Sequence, residues 1–282
     1  MVDAPSLQQA IKPFLKWAGG KRQLLPEIRR YVPTKYNTYF EPFLGAGAVL
    51  FDLQPQKAVV NDINFELVNT YKVIRDNVEW LIEELHKHSN DQEYYYQLRD
   101  IDRTPQFAVL SPIMRASRII FLNKTCYNGL FRVNRQGQFN VPFGKYKNPK
   151  IVDDVVLRAV HQYLTNNHVT ILNEDFETAV KKATKGDFVY FDPPYEPISD
   201  TSSFTAYSLT GFNSDSQIRL KKVFDDLSQR GCKVLLSNSA TPFIRELYQE
   251  YNVVTITAKR AINSNALKRG KVDEILVMNY VP

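Results

Sequence analysis

Phe188-Val189-Tyr190-Phe191-Asp192-Pro193-Pro194-Tyr195 is the stretch whose reading decides the fold. Four apolar or aromatic residues in a row read as a short buried strand, and two prolines, which lack an amide hydrogen, stop strand pairing directly after the carboxylate. In an open α/β sheet, ligands bind in the crevice outside the carboxyl ends of the strands. An acid, a rigid backbone and an aromatic ring are therefore delivered to a binding edge. The three parts suit an amino group on a planar ring. The Asp192 carboxylate and the Pro193 carbonyl can both accept from one NH2, while Tyr195 stacks on the ring's face. The bland alternative is a loop whose prolines merely end a strand, with Tyr195 in the core.

Working outward, four other stretches read as ligand contacts. In Pro13-Phe14-Leu15-Lys16-Trp17-Ala18-Gly19-Gly20-Lys21 two glycines permit a tight turn before an amphipathic helix over 23–31. Trp17 and Lys21 flank that turn and could meet an aromatic ring and a carboxylate; alternatively Trp17 packs in the core. Tyr39 to Phe43 reads as a strand, followed by Leu44-Gly45-Ala46-Gly47-Ala48 and a short helix. A Gly-x-Gly turn lets a ligand approach the backbone, but the third glycine of the dinucleotide fingerprint is missing. Ala58 to Asp62 reads as a second strand ending in an acid, suited to the two hydroxyls of a ribose or to capping a helix from Asn64. Downstream, the strand 169–172 leads to Glu174-Asp175-Phe176, an acid and a ring that could hold a purine, unless Asp175 caps a helix running to Ala183.

Between these α/β segments the pattern is helical from 64 to 122, in pieces 66–76, 78–88, 93–101 and 114–122, broken at Pro105 and Pro112. It runs into Lys124-Thr125-Cys126-Tyr127-Asn128-Gly129-Leu130-Phe131-Arg132-Val133-Asn134-Arg135-Gln136-Gly137-Gln138-Phe139-Asn140-Val141-Pro142-Phe143-Gly144-Lys145-Tyr146-Lys147. Alternating apolar residues around a glycine-containing turn predict a β-hairpin. Tyr127, Asn128, Arg132, Lys145 and Lys147 equip it with a ring for stacking, a fork for guanine and cations for phosphates. A merely solvated hairpin is the alternative. The chain then returns to α/β with helices over 154–163, 214–229 and 243–248 and strands over 233–236, 253–257 and 274–280. The Ser/Thr-rich 196–212 segment reads as a loop that could serve as a lid, and the basic 259–271 segment as an arm near phosphates.

Composition narrows the classes. With 282 residues and 44% hydrophobic content the chain can bury a large core, and 36 Lys+Arg against 30 Asp+Glu is mildly basic. Cys126 and Cys232 stand alone, without metal-ligand spacing, which predicts no zinc site and no disulfide, and suggests a reducing cytoplasm. His86, His88, His161 and His168 read as surface or helix-end residues. No signal peptide or membrane span is visible.

Taken together, Phe14–Lys21, Phe40–Gly47, Asn61-Asp62, Tyr127–Tyr146, Asp192–Tyr195, Ser264-Asn265 and Lys271–Glu274 resemble the Dam-type DNA adenine methyltransferases, including those paired with GATC-cutting restriction enzymes. The resemblance implies a Rossmann-like α/β sheet of seven mostly parallel strands, one antiparallel, with a helical and β-hairpin insertion that recognises DNA. It assigns residues 1–63 and 151–282 to catalysis and 64–150 to target recognition. It implies S-adenosylmethionine as cofactor, with Trp17, Ala18, Gly19, Lys21, Asp62 and Asp192 as binding positions. Glu41, Pro42, Phe43, Gly45 and Gly47 would form the donor's loop, and Asp175 and Phe176 would hold its adenine. For double-stranded DNA, Arg132 would read guanine, Tyr127 would wedge into the stack, Asn128 and Leu130 would touch neighbouring bases, and Lys16 would read the outer base pair. Lys145 and Lys147 would lie along the backbone, with Asn134, Pro142 and Tyr146 as further DNA-binding candidates. Phe131 and Lys145 stand where the family varies. The implied product is a methylated adenine amine. The tetrapeptide suits planar amino groups generally, so cytosine, RNA or a protein glutamine stay open as acceptors, as does a regulator that binds DNA without methylating it.

Overall fold

The computed structural model describes residues 10–17, 19–197, 211–259 and 271–281. Ala18, most of the 196–212 loop, most of the 259–271 arm and Ser264-Asn265 lie outside the described residues. In chain order the helices are α1 (Leu25–Arg29), α2 (Ala48–Leu53), α3 (Phe65–His86), α4 (Gln92–Asp100), α5 (Gln106–Val109), α6 (Pro112–Thr125), α7 (Asp154–Asn166), α8 (Phe176–Ala179), α9 (Ser214–Gln229) and α10 (Pro242–Leu247). The strands are β1 (Tyr39–Glu41), β2 (Lys57–Asn61), β3 (His168–Leu172), β4 (Phe188–Phe191), β5 (Lys233–Ser239), β6 (Asn252–Lys259) and β7 (Lys271–Met278).

These strands form a seven-stranded sheet of order β3-β2-β1-β4-β5-β7-β6. The neighbours β1–β2, β1–β4 and β4–β5 are parallel, and β7 runs antiparallel to both β5 and β6. All four β4 residues are fully buried, as an unbroken apolar run requires in a strand covered on both faces. Each such side chain contributes about 1.5–3 kcal/mol of hydrophobic stabilisation. Strand order reverses between β1 and β4, so Glu41 and Asp192 leave the sheet at its topological switch point, where ligands of this architecture bind.

The chain divides into two compact units, the first comprising Met1–Gly20, Gly45–Gln56 and Asp62–Asn173, the second Lys21–Leu44, Lys57–Asn61 and Glu174–Pro282. In the second, Phe40, Val189, Phe191, Leu220, Phe224, Val234, Leu236, Ile275 and Val277 belong to one buried cluster. In the first, Tyr95, Phe121, Leu122, Cys126, Phe139 and Val141 pack together beneath the 127–147 segment.

Several expectations are corrected. The pieces 66–76 and 78–88 are one element, α3, kinked where Asn77 leaves helical geometry (φ −144°, ψ 39°). His161 explains how the kink is tolerated: its Nδ1 lies 3.1 Å and 2.9 Å from the Ile74 and Arg75 carbonyls, which the kink frees from the helix. His88 is likewise no surface residue. It is wedged between the Tyr94 hydroxyl (2.6 Å) and the Ser117 hydroxyl (2.8 Å), and burial pushes its pKa down to about 4. Pro112 opens α6 instead of breaking a helix, because a missing amide is harmless in the first turn, where Ser111 caps the Met114 amide. The helix after Asp175 ends at Ala179, short of Ala183.

The expected hairpin is also different: among the described residues it holds only isolated bridges, Val133 to Phe139 and Cys126 to Phe143. Asn134 replaces the ladder, its Oδ1 accepting the Gln136 and Gln138 amides (both 3.0 Å). Cys126 and Cys232 are buried free thiols, pushed by burial up to about 12 and about 11. No described helix is long and apolar enough to cross a membrane, and no described cluster of His, Cys, Asp or Glu could hold a metal.

Candidate active site and recognition turn

In the second unit the site is built at the carboxyl end of β4. Asp192 Oδ1 is held by the Lys21 ammonium at 2.8 Å and by the Ser237 hydroxyl at 2.9 Å. Lys21, expected from sequence to meet a ligand carboxylate, is 5% exposed and here pairs with the chain's own acid. Burial is the largest influence on Asp192 and raises its pKa, opposed by Lys21 and by the Ser237 hydroxyl. Among the described residues nothing donates to Oδ2 of Asp192 or to the Pro193 carbonyl. The Pro194 carbonyl, by contrast, accepts from Gln217 Nε2 at 2.9 Å.

Tyr195 follows, with its ring centroid 4.5 Å from the Lys21 ammonium and its hydroxyl donating to Glu274 Oε2 at 2.8 Å. Glu274 is there because β7 runs between β5 and β6 in a register that sets it opposite Ser239. The neighbouring β1 end contributes Glu41, buried, which accepts from the Tyr39 hydroxyl at 2.8 Å. Asn61 ties the next residues together: its Nδ2 donates to the Pro42 and Glu174 carbonyls at 3.0 Å each, and its Oδ1 accepts the Glu174 amide at 2.8 Å. Phe43 stacks on Phe176 with centroids 5.3 Å apart. Asp175 caps the Glu177 amide (3.0 Å) and pairs with Arg219 (2.6 Å), whose guanidinium covers the Phe176 ring at 4.3 Å. The capping alternative for Asp175 is thus what its side chain does here.

In the first unit, Trp17, Gly45, Gly47 and Asp62 are brought together. Gly45 and Gly47 have φ of 50° and 68°, a region other residues enter at a cost. A Cβ on Gly45 would lie 3.0 Å from Trp17 Cδ1, and one on Gly47 would strike the Tyr71 hydroxyl at 2.8 Å. Asp62 accepts the Gly45 and Asn64 amides, both at 2.9 Å, and burial raises its pKa. It does not cap α3; Asn64 does, through the Leu67 amide. Trp17 is half-buried and stacks on Phe131, 4.5 Å between centroids. Gly19 is exposed, with φ of 75°.

The same unit carries the recognition candidates. Lys16 lies across Gly129, where a Cβ would come within 2.4 Å of its side chain, and its ammonium sits 5.8 Å from the Tyr146 ring centroid. Asn123, whose role the sequence does not reveal, clamps this arrangement: it accepts the Lys16 amide (2.9 Å) and donates to the Lys16 and Gly129 carbonyls. Tyr127 is 55% exposed although its amide is anchored to the Pro142 carbonyl at 2.8 Å. Asn128, Arg132, Pro142, Lys145, Tyr146 and Lys147 are also exposed, whereas Leu130 packs partly into the buried cluster. Arg132 is held by Asn140, through Nε to Oδ1 (2.8 Å) and a terminal nitrogen to the carbonyl (3.0 Å). Asp102 and Arg103 grip the backbone of Phe139 from the helical side, at 2.7 Å and 3.0 Å.

A sequence model of the D12 class N6 adenine-specific DNA methyltransferases matches residues 17–262. A type II methyltransferase of Lactococcus lactis subsp. cremoris is 50% identical over 272 residues, 96% of each chain. A type II methyltransferase of Methanocaldococcus jannaschii is 45% identical over 290 residues, covering 96% of this chain and 99% of its own. The DNA adenine methylase of Escherichia coli K12 is 35% identical over 275 residues, again 96% of each. An acid at the switch point whose second oxygen, with the next carbonyl, is unengaged among the described residues, and an exposed, cationic turn, agree with that match, and the chain belongs to the D12 class N6 adenine-specific DNA methyltransferases.

Proposed function

We propose that the protein transfers a methyl group from S-adenosylmethionine to the exocyclic amine of an adenine flipped out of duplex DNA, within GATC. The observation that carries this reading is how Asp192 is used. Lys21 and Ser237 both take Oδ1, while Oδ2 and the adjacent Pro193 carbonyl are left by the described residues as two acceptors, matching the two hydrogens of one amine.

S-adenosylmethionine, when bound, supplies an electrophilic methyl group carried on a sulfonium sulfur. The residues proposed for it suit it. The bare, left-handed Gly45–Gly47 turn admits a ligand against its backbone. Asp62 has acceptor sites beyond the two used by the Gly45 and Asn64 amides, enough for two ribose hydroxyls. Trp17, Gly19, Lys21 and the Glu41–Phe43 segment are proposed to complete the donor set, with Asp175 and Phe176 toward its adenine.

An adenine amine is a poor nucleophile because its lone pair is shared with the ring. Acceptance of its two N–H bonds by Asp192 Oδ2 and the Pro193 oxygen favours the pyramidal form with a localised lone pair. The same oxygens stabilise the positive charge that grows on nitrogen as its bond to carbon forms, an interaction stronger in the transition state than in the ground state. Lys21 and Ser237 oppose the upward pull of burial on the Asp192 pKa and so favour its ionised form. Tyr195 packs against the base, its ring tethered through Glu274. The amine proton leaves after transfer, when the nitrogen has become a strong acid. Flipping costs a few kcal/mol, offset by base stacking and by contacts from Tyr127, Asn128 and Arg132. Pairing with an endonuclease that cuts the same site, without a stable complex, and action on chromosomal DNA in the cytoplasm belong to the same proposal.

Incubation of unmethylated duplex DNA with the protein and labelled S-adenosylmethionine, followed by mapping of the modified bases, tests it. Methylated adenine confined to GATC is expected. Modification at another sequence would refute the target site, and no transfer from this donor would refute the cofactor.

A further inference from the structure

The structure assigns Gln217 and Asn238 as positioning residues that fix which proline carbonyl is offered to the amine. The inference rests on the reading of Asp192 and Pro193 given above. Gln217 on α9 and Asn238 on β5 are 1% and 0% exposed, among the few wholly buried amides of the second unit. They form a chain whose direction is forced by its ends. At one end, Asn238 Oδ1 accepts the Ser239 amide (2.8 Å) and the Glu196 amide (3.3 Å), and backbone N–H groups can only donate. Asn238 Nδ2 must therefore face Gln217 Oε1, at 3.0 Å. At the other end Gln217 Nε2 donates to the Pro194 carbonyl at 2.9 Å, a group that can only accept. No flip of either amide satisfies both ends.

The consequence falls on the tetrapeptide. Prolines at 193 and 194 restrict φ, which leaves the peptide planes on either side of Pro194 as the adjustable part of the loop. Gln217 pins the plane after Pro194 through its carbonyl, and Asn238 pins the following residue through the Glu196 amide. Ser239 adds a third tie, its hydroxyl donating to the Glu196 carbonyl at 2.8 Å. With the Pro194 carbonyl already accepting from Gln217, the Pro193 carbonyl is the proline oxygen that the described residues leave for an incoming donor. Neither amide is placed to touch a substrate in this reading. Both act through the proline loop, and a shift of about 1 Å there is enough to lose on the order of 10²-fold in rate.

Two variants test this under single-turnover conditions with saturating DNA and donor. Gln217→Met keeps the volume and removes the donor to Pro194. It is expected to lower the methyl-transfer rate by about 10–100-fold with dissociation constants for DNA and donor within about threefold of wild type. Gln217→Glu retains an acceptor for Asn238 but can donate to the Pro194 carbonyl only when protonated. Its rate relative to wild type should rise as pH falls, whereas the ratio for Gln217→Met stays flat. Should Gln217→Met fail to fold, the pH-dependent rescue in Gln217→Glu decides alone. A wild-type rate in folded Gln217→Met, or no pH-dependent rescue in Gln217→Glu, overturns the assignment. Asp192→Asn measured alongside keeps the two claims apart: if it too retains full rate, the amine-holding reading has failed rather than its support.

Discussion

The loop that carries Asp192 and the turn that carries Tyr127 and Arg132 use their polar groups in opposite ways. In the Asp192 loop the side chains are buried or half-buried and tied on several sides: Lys21 and Ser237 on the carboxylate, Gln217 on the Pro194 carbonyl, Glu274 on the Tyr195 hydroxyl. In the recognition turn the backbone is anchored, by Pro142, Asn123, Asp102 and Arg103, while Tyr127, Lys145 and Lys147 project outward. The difference follows from the two tasks proposed for them. Stabilising charge on one nitrogen demands acceptors already in place, since reorganising them during the reaction would consume the gain. Reading a duplex demands side chains that reach away from the protein, so the rigidity is put into the backbone beneath them.

The largest expected effect that could break this comparison is on stability. Lys21→Met leaves the buried Asp192 carboxylate without its cation, and loss of one partner from a buried ion pair costs about 3–5 kcal/mol. Urea denaturation of the variant should show that loss, whereas a change below about 0.5 kcal/mol, the ordinary surface range, would mean the pair is not sequestered. Next, Arg132→Ala is expected to relax discrimination at one guanine by about 1–3 kcal/mol. Competition between cognate and single-substituted duplexes measures it, and an equal loss on every sequence would make Arg132 a phosphate contact.

A third prediction concerns pH. The folded pKa of His88, about 4, lies below its ordinary value of 6.5, so its contribution is present above 6.5 and is lost as pH falls from 6.5 toward 4. With allowance for solvent screening the loss is on the order of 2 kcal/mol. Asp62 and Asp192, both raised by burial, act in the opposite sense: their contribution is full in acid and is lost as pH rises through their folded values. Melting temperatures of wild type and His88→Gln between pH 7 and pH 4 should therefore converge at the acid end; parallel curves would show that His88 is not buried neutral. The smallest effect is Tyr127→Ala. An exposed ring contributes little to folding, so stability should stay within about 0.5 kcal/mol while DNA affinity falls, which a thermal melt and a binding titration separate.

How far the sequence carries the account differs between the same two regions. The strand before Asp192 is legible because a run of four apolar residues closed by two prolines admits few other readings. The Gly45–Gly47 turn is legible because only glycine sits comfortably at those φ values. What holds Asp192 and Pro194 is not: Ser237 and Gln217 come from β5 and α9, and the one local hint is a polar Ser-Asn-Ser triplet ending an otherwise apolar strand. Lys21 reads as a ligand contact because nothing local shows that the turn at Lys21–Gln23 sets it against Asp192. In the recognition segment, alternation suggested a two-stranded hairpin, but the Asn134 side chain supplies the turn's hydrogen bonds and little ladder forms. The kink at Asn77 escapes notice because apolar spacing continues across it, and the His161 contacts that compensate it span 86 and 87 residues of chain.

The most direct measurement of the central claim is the single-turnover rate of methyl transfer by Asp192→Asn, with DNA and donor both saturating. The amide keeps the shape, but with its oxygen held at Oδ1 by Lys21 and Ser237 it presents an NH2, a donor, where the amine needs an acceptor, and it withdraws the negative charge that faces the developing positive nitrogen. A rate reduced by about 10²–10³-fold, in a folded protein that still binds DNA, is the predicted result. A rate within a few-fold of wild type would contradict the assignment of Asp192 as the acceptor on which transfer depends.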